Sequence, residues 1–309
     1  MPNPRSSVDP RPRNHFRRRG FASTCAAALA LTAIGVAAPA HAEPASCAAT
    51  ATTVATAAFP FLDWAENLGY DADGNLWVSR LYRNEVQRYD SVGRVTATVP
   101  VTSPGAIRLG PDGLLYVVYG DNSLNMLPGT HDSGVVRFDP AAPAAVPEVF
   151  VRGLGMANGA GFDAAGNLYI ADTASGVVRV RPDATIDTDW TAQAKLFGLN
   201  GIAVVGDSVY VTVYLSADGQ VVRIPINAPA RRTTAARLGL ADDLAVGPDR
   251  FLYVATTSGS LVRIDPASDR TCTVLTVGPL AAVAVVPGTG RDLMVATGGG
   301  DLLRVRLSE

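Results

Sequence analysis

The chain has 309 residues with 26 Lys and Arg against 28 Asp and Glu, a formal charge of −2. Its one dense basic cluster, "PRPRNHFRRRG", lies at the N-terminus; without residues 1–42 the balance is 20 basic to 27 acidic groups, a net charge of about −7. Such a chain lacks the basic surface a nucleic-acid binder needs, and no later apolar run approaches the ~20 residues of a membrane-spanning helix.

Residues 1–42 read as an export signal. The basic lead is followed by "FASTCAAALALTAIGVAA", an apolar stretch poorly suited to spanning a membrane, and then by Ala40-His41-Ala42, a small-x-small cleavage site. Arg17, Arg18 and Arg19 before Gly20-Phe21 resemble a twin-arginine signal, which carries folded cargo. The expected product is a secreted or cell-envelope protein, periplasmic where there is a periplasm. Its domain covers residues 43–309, with no nucleic-acid or membrane partner and a monomeric state. Two cysteines remain, Cys47 and Cys272; in an exported chain an even count suggests a disulfide, with two buried thiols as the alternative.

From residue 70 onward one pattern recurs six times. It begins "YDADGNLWVSRLYRNEVQRYD" (70–90), "LGPDGLLYVVYGD…SGVVRFDP" (109–140) and "FDAAGNLYIADTASGVVRVRP" (162–182). It continues "VVGDSVYVTVYLSADGQVVRIP" (204–225), "VGPDRFLYVATTSGSLVRIDP" (246–266) and "VPGTGRDLMVATGGGDLLRVR" (286–306). The large residue after each turn is Trp77, Tyr116, Tyr169, Tyr210, Tyr253 or Met294, at spacings of 39, 53, 41, 43 and 41. The long interval holds an insertion at 119–134. Each unit reads as a strand, a tight Asp-Gly or Gly-Asn turn, a second strand, a polar loop and a third strand with alternating Arg. Runs such as "VTATVP", "PEVFV" and "CTVLTV" add a fourth strand to most units. Six near-equal four-stranded units predict an all-β, six-bladed β-propeller.

The sixth copy has only three strands before the chain ends. The β-branched run "ATATTVATAAF" (49–59) is expected to supply the fourth and close the ring, removing an open edge. That closure puts Cys47 at the outer edge of the last blade and Cys272 on the outer strand of the fifth, so a Cys47–Cys272 bond is expected.

Residues at the start of each first strand should converge on the mouth of the central channel. They are Glu66, Pro104, Asn158, Asn200, Asp242 and, in the last copy, Ala281 and Ala282. Two carboxylates and two amides from four blades form an oxygen-only set that suits a hard cation such as Ca²⁺, Mg²⁺ or Mn²⁺. The alternative is a polar channel holding water, with Asn-Gly as turn chemistry.

These positions resemble the motifs of the gluconolactonase and senescence marker protein (regucalcin) family of six-bladed calcium-dependent propellers. "ENLGYD" is similar to that family's E-G-P-x-W-D at Glu66, and "NGAGFD" to N-D-G-x-x-D at Asn158. "LNGIAV" is similar to P-N-G-[IL] at Asn200, and "ADDLAV" to P-D-G-x-A at Asp242. The resemblance spans roughly residues 50–309. It implies metal ligation by Glu66, Asn200 and Asp242, substrate or water contact by Asn158, and Ca²⁺ as the first choice of cation, with Mg²⁺, Mn²⁺ or Zn²⁺ as alternatives. The chain departs from the motifs at Asn67-Leu68, at Gly159 and at Met156, where sugar-lactone members often carry Arg. Those departures weigh against a sugar-acid substrate and leave the cation site in place.

The residues exclude other chemistries. After the signal there is a single histidine, His131, and neither G-x-S-x-G, a P-loop nor a dinucleotide fingerprint occurs. "DADGN" (71–75) opens like a calcium loop, but its twelfth position is Tyr82 and the same turn recurs in other copies. Metal-assisted hydrolysis of a lactone or ester remains, with Asp242 activating water. His131 is an alternative base if its insertion covers the pocket, against an ordinary solvated loop histidine. Arg80, Tyr119, Asp172 and Tyr214, where second strands end, are candidates for substrate contact, against simple rim positions. The competing readings are a non-catalytic propeller resembling NHL-repeat binding modules and a strictosidine-synthase-like enzyme.

Overall fold

The computed structural model describes residues 47–308; the export signal expected over residues 1–42 lies outside them. Six small antiparallel sheets follow one another around a ring, a six-bladed β-propeller. Each innermost strand packs beside that of the next blade. The first blade spans Ala65–Tyr70, Leu76–Arg80, Glu85–Tyr89 and Val95–Pro100 from the axis outward, and four of the others also have four strands.

Four of the blades share a three-residue clamp. In the first blade Asp71 at the turn accepts from the backbone N–H of Asn75 and from Trp77 Nε1, both at 2.9 Å. Tyr116, Tyr169 and Tyr253 donate their hydroxyls to Asp112, Asp163 and Asp249 at 2.9, 3.0 and 2.7 Å. The turn carboxylate thus satisfies both the loop backbone and the polar tip of a ring that is otherwise buried. The alternating Arg of the third strand lies directly opposite that large residue in every blade: Trp77–Arg88, Tyr116–Arg137, Tyr169–Arg179, Tyr210–Arg223, Tyr253–Arg263 and Met294–Arg304. "DADGN" is therefore a turn.

The ring closes as the N-terminal run predicts. Ala49–Ala55 pairs antiparallel with Leu302–Leu307 and completes the sixth blade. Cys47 and Cys272 are joined, with Cα atoms 6.2 Å apart, tying that strand to the outer strand Thr271–Thr276 of the fifth blade.

The third blade differs from the rest. Its sheet has three strands, Ala157–Phe162, Leu168–Asp172 and Gly176–Val180, and the helix Thr188–Gln193 stands where the fourth strand would be. Asp187 caps that helix, and Trp190 is buried edge-on against Tyr169 at 5.2 Å between ring centres. Among the described residues, no helix is long and apolar enough to cross a membrane.

Candidate active site

Four of the site side chains sit at breaks in the innermost strands. The ladder between first and second strands is irregular between Ala65 and Asn67, Ala157 and Ala160, Leu199 and Ile202, and Ala241 and Leu244. Glu66, Asn158, Asn200 and Asp242 lie in those bulges. A bulge frees a residue from the strict in-out alternation and re-aims its side chain. The sixth blade has the same break between Leu280 and Ala282, with Ala281 inside it, so the scaffold is repeated there without a functional group.

The glycines after Asn158 and Asn200 also have a structural reason. A Cβ on Gly159 would sit 2.4 Å from Asn200 O, and one on Gly201 2.6 Å from Asp242 O. Each glycine lets the next blade's strand come close, which draws the side chains beside them toward one axis. Asn-Gly is not turn chemistry in this chain.

Together Glu66, Asn158, Asn200 and Asp242 line a top-face cavity of about 550 Å³. Asp121, which follows the second strand of blade two, joins them there. It stands in for the short first strand of that blade, Ile107–Leu109, whose preceding Pro104 does not reach the cavity. Asn158 Nδ2 donates to Glu66 Oε1 at 3.0 Å and to Asp121 Oδ2 at 2.9 Å. Trp64 Nε1 donates to Glu66 Oε2 at 2.5 Å.

Glu66, Asp121 and Asp242 are 7%, 5% and 3% exposed. Burial pushes all three carboxyls up, those of Asp121 and Asp242 well up, and Glu66's charge pushes both of these further. Hydrogen bonds from Asn158 and Trp64 hold Glu66 down in part, and one from Asn200 does so for Asp242. Among the described residues no Lys, Arg or His lines the cavity. Below the floor, Asp243 lies 3.6 Å from Arg108, and its Oδ1 has no hydrogen-bond partner. The nearby cation is thus directed at Asp243, and the three upper carboxyls are offset only by hydrogen bonds from neutral groups.

That donor set fits a hard cation. It is all oxygen, buried and in excess of negative charge, which a proton or a metal ion must offset. Among the described residues no three His, Cys, Asp or Glu side chains gather closely enough to hold a metal by themselves. A cation there would need the amide of Asn200 beside Glu66 and Asp242, all three of which line the cavity.

The other expected contacts divide. Tyr214 lines the cavity, its hydroxyl 3.1 Å from Thr257 Oγ1. Arg80 does not: it is buried and donates to Gly300 O at 2.9 Å, Tyr89 Oη at 2.6 Å and Asp63 O, locking the first blade to the sixth. Asp172 is also buried, accepting from the N–H groups of Gly155, Ala174 and Ser175 at 2.8, 3.0 and 3.1 Å. Tyr119 packs with the cluster between blades one and two. His131 is exposed and outside the cavity lining; the insertion reaches the cavity through Asn122, Ser123 and Met126 instead.

No family model and no curated protein sequence matches the chain. Solved structures do, through the fold. The PQQ-bound aldose sugar dehydrogenase of Streptomyces coelicolor is 19% identical over 86% of this chain and 100% of its own, with a TM-score of 0.67. A gluconolactonase of Xanthomonas campestris is 17% identical over 84% of this chain and 90% of its own, also at 0.67. Virginiamycin B lyase of Staphylococcus aureus is 10% identical over 84% and 100%, at 0.56. The chain shares the six-bladed propeller fold with gluconolactonases and sugar dehydrogenases.

Proposed function

We propose that the protein is an exported, metal-dependent hydrolase that opens a lactone or ester in the top-face cavity. One observation carries this reading: the oxygen-bearing side chains of Glu66, Asn158, Asn200 and Asp242, from four blades and each at a strand bulge, share the floor of one cavity in which no Lys, Arg or His of the described residues takes part. Likeness in fold to a gluconolactonase supports it, and so does the order of the four motifs along the chain. The Cys47–Cys272 pairing is what an oxidising compartment permits, which supports export.

Glu66, Asn200 and Asp242 would hold the cation, with Ca²⁺ as the first choice. Its chemistry, when bound, is to polarise the substrate carbonyl and stabilise the developing oxyanion. The chain's own groups do the rest. Asp242 takes a proton from water as the water oxygen bonds to the carbonyl carbon. It returns that proton to the alkoxide that leaves, giving a hydroxy acid from a lactone or an acid and an alcohol from an ester. Asn158 keeps Glu66 and Asp121 in place.

The test is thermal stability with calcium and with chelator, followed by turnover of a panel of lactones and aryl esters. A melting temperature indifferent to both additives, with no turnover, would overturn the reading in favour of a binding propeller.

A further inference from the structure

We infer that the cavity, on the hydrolase reading above, takes a neutral lactone or ester bearing an extended apolar group, rather than an acidic or polyhydroxylated one. The charge of the site argues first. The floor has three buried carboxyls, and no Lys, Arg or His of the described residues lines the cavity; Arg80 is spent on Gly300 O, Tyr89 and Asp63 O. A substrate carboxylate or phosphate held away from the ion would meet that negative charge with no side-chain cation of the described residues to pair with.

Hydrogen-bonding capacity argues next. A polyol needs several converging polar groups that are free to serve it. Of Ser103, Asn122, Ser123, Thr173 and Tyr214 in the upper wall, three are engaged through at least one atom. Thr173 donates its hydroxyl to Leu199 O at 2.7 Å, Asn122 Oδ1 accepts from Leu124 N at 2.9 Å, and Tyr214 is bonded to Thr257. Both N–H bonds of Asn158 go to carboxyls.

The apolar surface argues last. Trp64, Leu81, Tyr82, Met126, Met156 and Leu215 line the cavity. Two of them continue outward as exposed surface, Tyr82 at 45% and Leu215 at 46%. Phe61, 67% exposed, stacks on Tyr82 with ring centres 4.6 Å apart, and Leu124 stands exposed on the same loop as Met126. Large apolar side chains left in water around one mouth mark a surface that a ligand covers. The head of the substrate lies on the carboxyl and amide floor, and its tail runs up this wall.

Two measurements in calcium buffer test this. One is kcat/KM for γ-lactones with side chains from methyl to octyl, beside glucono-δ-lactone. The other is calorimetric binding of the matching γ-alkyl lactams, which keep the carbonyl and chain but resist hydrolysis. Both quantities should rise about fourfold for each methylene buried, the equivalent of about 0.8 kcal/mol. The sugar lactone should trail the octyl lactone by at least about a hundredfold, on the same scale of several methylenes. Leu215→Ser and Met126→Ser should each flatten the dependence on chain length; using two variants guards against one failing to fold. Lactams that bind with chain dependence while no lactone is hydrolysed would sink the hydrolase reading and leave the ligand class standing. Hydrolysis that ignores chain length, or favours the sugar lactone, would overturn the inference alone. Neither binding nor turnover would overturn both.

Discussion

Asn158 donates one amide N–H to Glu66, 92 residues earlier and two blades away, at 3.0 Å. Its other N–H goes to Asp121 of the blade between them at 2.9 Å. One neutral side chain therefore bridges two buried acids that are also hydrogen-bonded to each other. Asn158→Ala should leave both carboxyls short of a donor and destabilise the chelated protein by about 1–3 kcal/mol, the usual cost of a buried polar group losing its partner. Chemical unfolding in EDTA measures this. A variant as stable as the parent would mean that Asn158 does not hold the pair.

Asp242 should show a trade-off between stability and activity. Asp242→Asn is nearly isosteric and removes an acid that Glu66, Asp243 and Asp121 all repel. It should cut turnover of any substrate by about 10²–10⁴-fold, the range for a lost general base. In EDTA it should melt no lower than the parent, because a buried like charge has gone. Calcium should then raise its melting temperature less than the parent's. Unchanged turnover would remove Asp242 from the mechanism.

Much of the fold and part of the site were legible in the sequence, for a shared reason. The turn Asp, the aromatic residue after it and the Arg opposite form a local clamp, so the repeat survives in residues close together in the chain. Glu66, Asn158, Asn200 and Asp242 fall at one register of that repeat. Asp121 does not, because blade two shortens its first strand and supplies its oxygen from the next loop; the one signal was an Asp opening the only long insertion. Arg80 and Asp172 misled because every second-strand end looks alike in sequence. Which ends face the cavity depends on contacts such as Arg80 with Gly300 O, 220 residues distant. The helix that replaces a strand in blade three depends likewise on Trp190 finding Tyr169 and Ile226 O.

Stability should depend on pH in a direction set by the same acids. Burial and mutual repulsion raise Glu66, Asp121 and Asp242 in the folded state. Between the ordinary carboxylate range near pH 4 and their raised values, the folded chain binds more protons than the unfolded one, so stability falls as pH rises through that window. Asp63, Asp187 and Asp292 are lowered, which adds stability that is lost only below about pH 4. Chelated protein should thus melt higher at about pH 5 than at about pH 8, and calcium should stabilise more at the higher pH. Melting curves at the two pH values, with EDTA and with calcium, check both signs. Chelated protein that is more stable at the alkaline end would show that these carboxyls are not the dominant buried charge.

Reducing the Cys47–Cys272 bond should loosen the closure strand before the rest of the ring. The bond closes a segment with a sequence separation of 225, for which the chain-entropy account gives an upper limit of about 5 kcal/mol. Without it, Ala49–Ala55 is held to Leu302–Leu307 by ladder hydrogen bonds and few buried side chains. Hydrogen exchange of the Cys272→Ser protein should rise first in residues 49–55 and 302–307. Uniform acceleration across all six blades would instead mean that the ring opens as one unit.

Gly201 gives the sharpest test of how the blades bring the proposed cation site together. Its missing Cβ leaves room for Asp242 O and Asp243 Cα, each 2.6 Å from where that carbon would sit. Both contacts are to backbone, so no side chain can swing aside. Gly201→Ala must push the fourth and fifth innermost strands apart, at a cost of about 1–3 kcal/mol for an overpacked core. The same displacement separates Asn200 from Asp242, so calcium affinity should fall along with stability. Gly278→Ala is the control, since its added carbon meets nothing within 4 Å. If Gly201→Ala lost stability yet bound calcium as the parent does, the ion would not sit between those two blades.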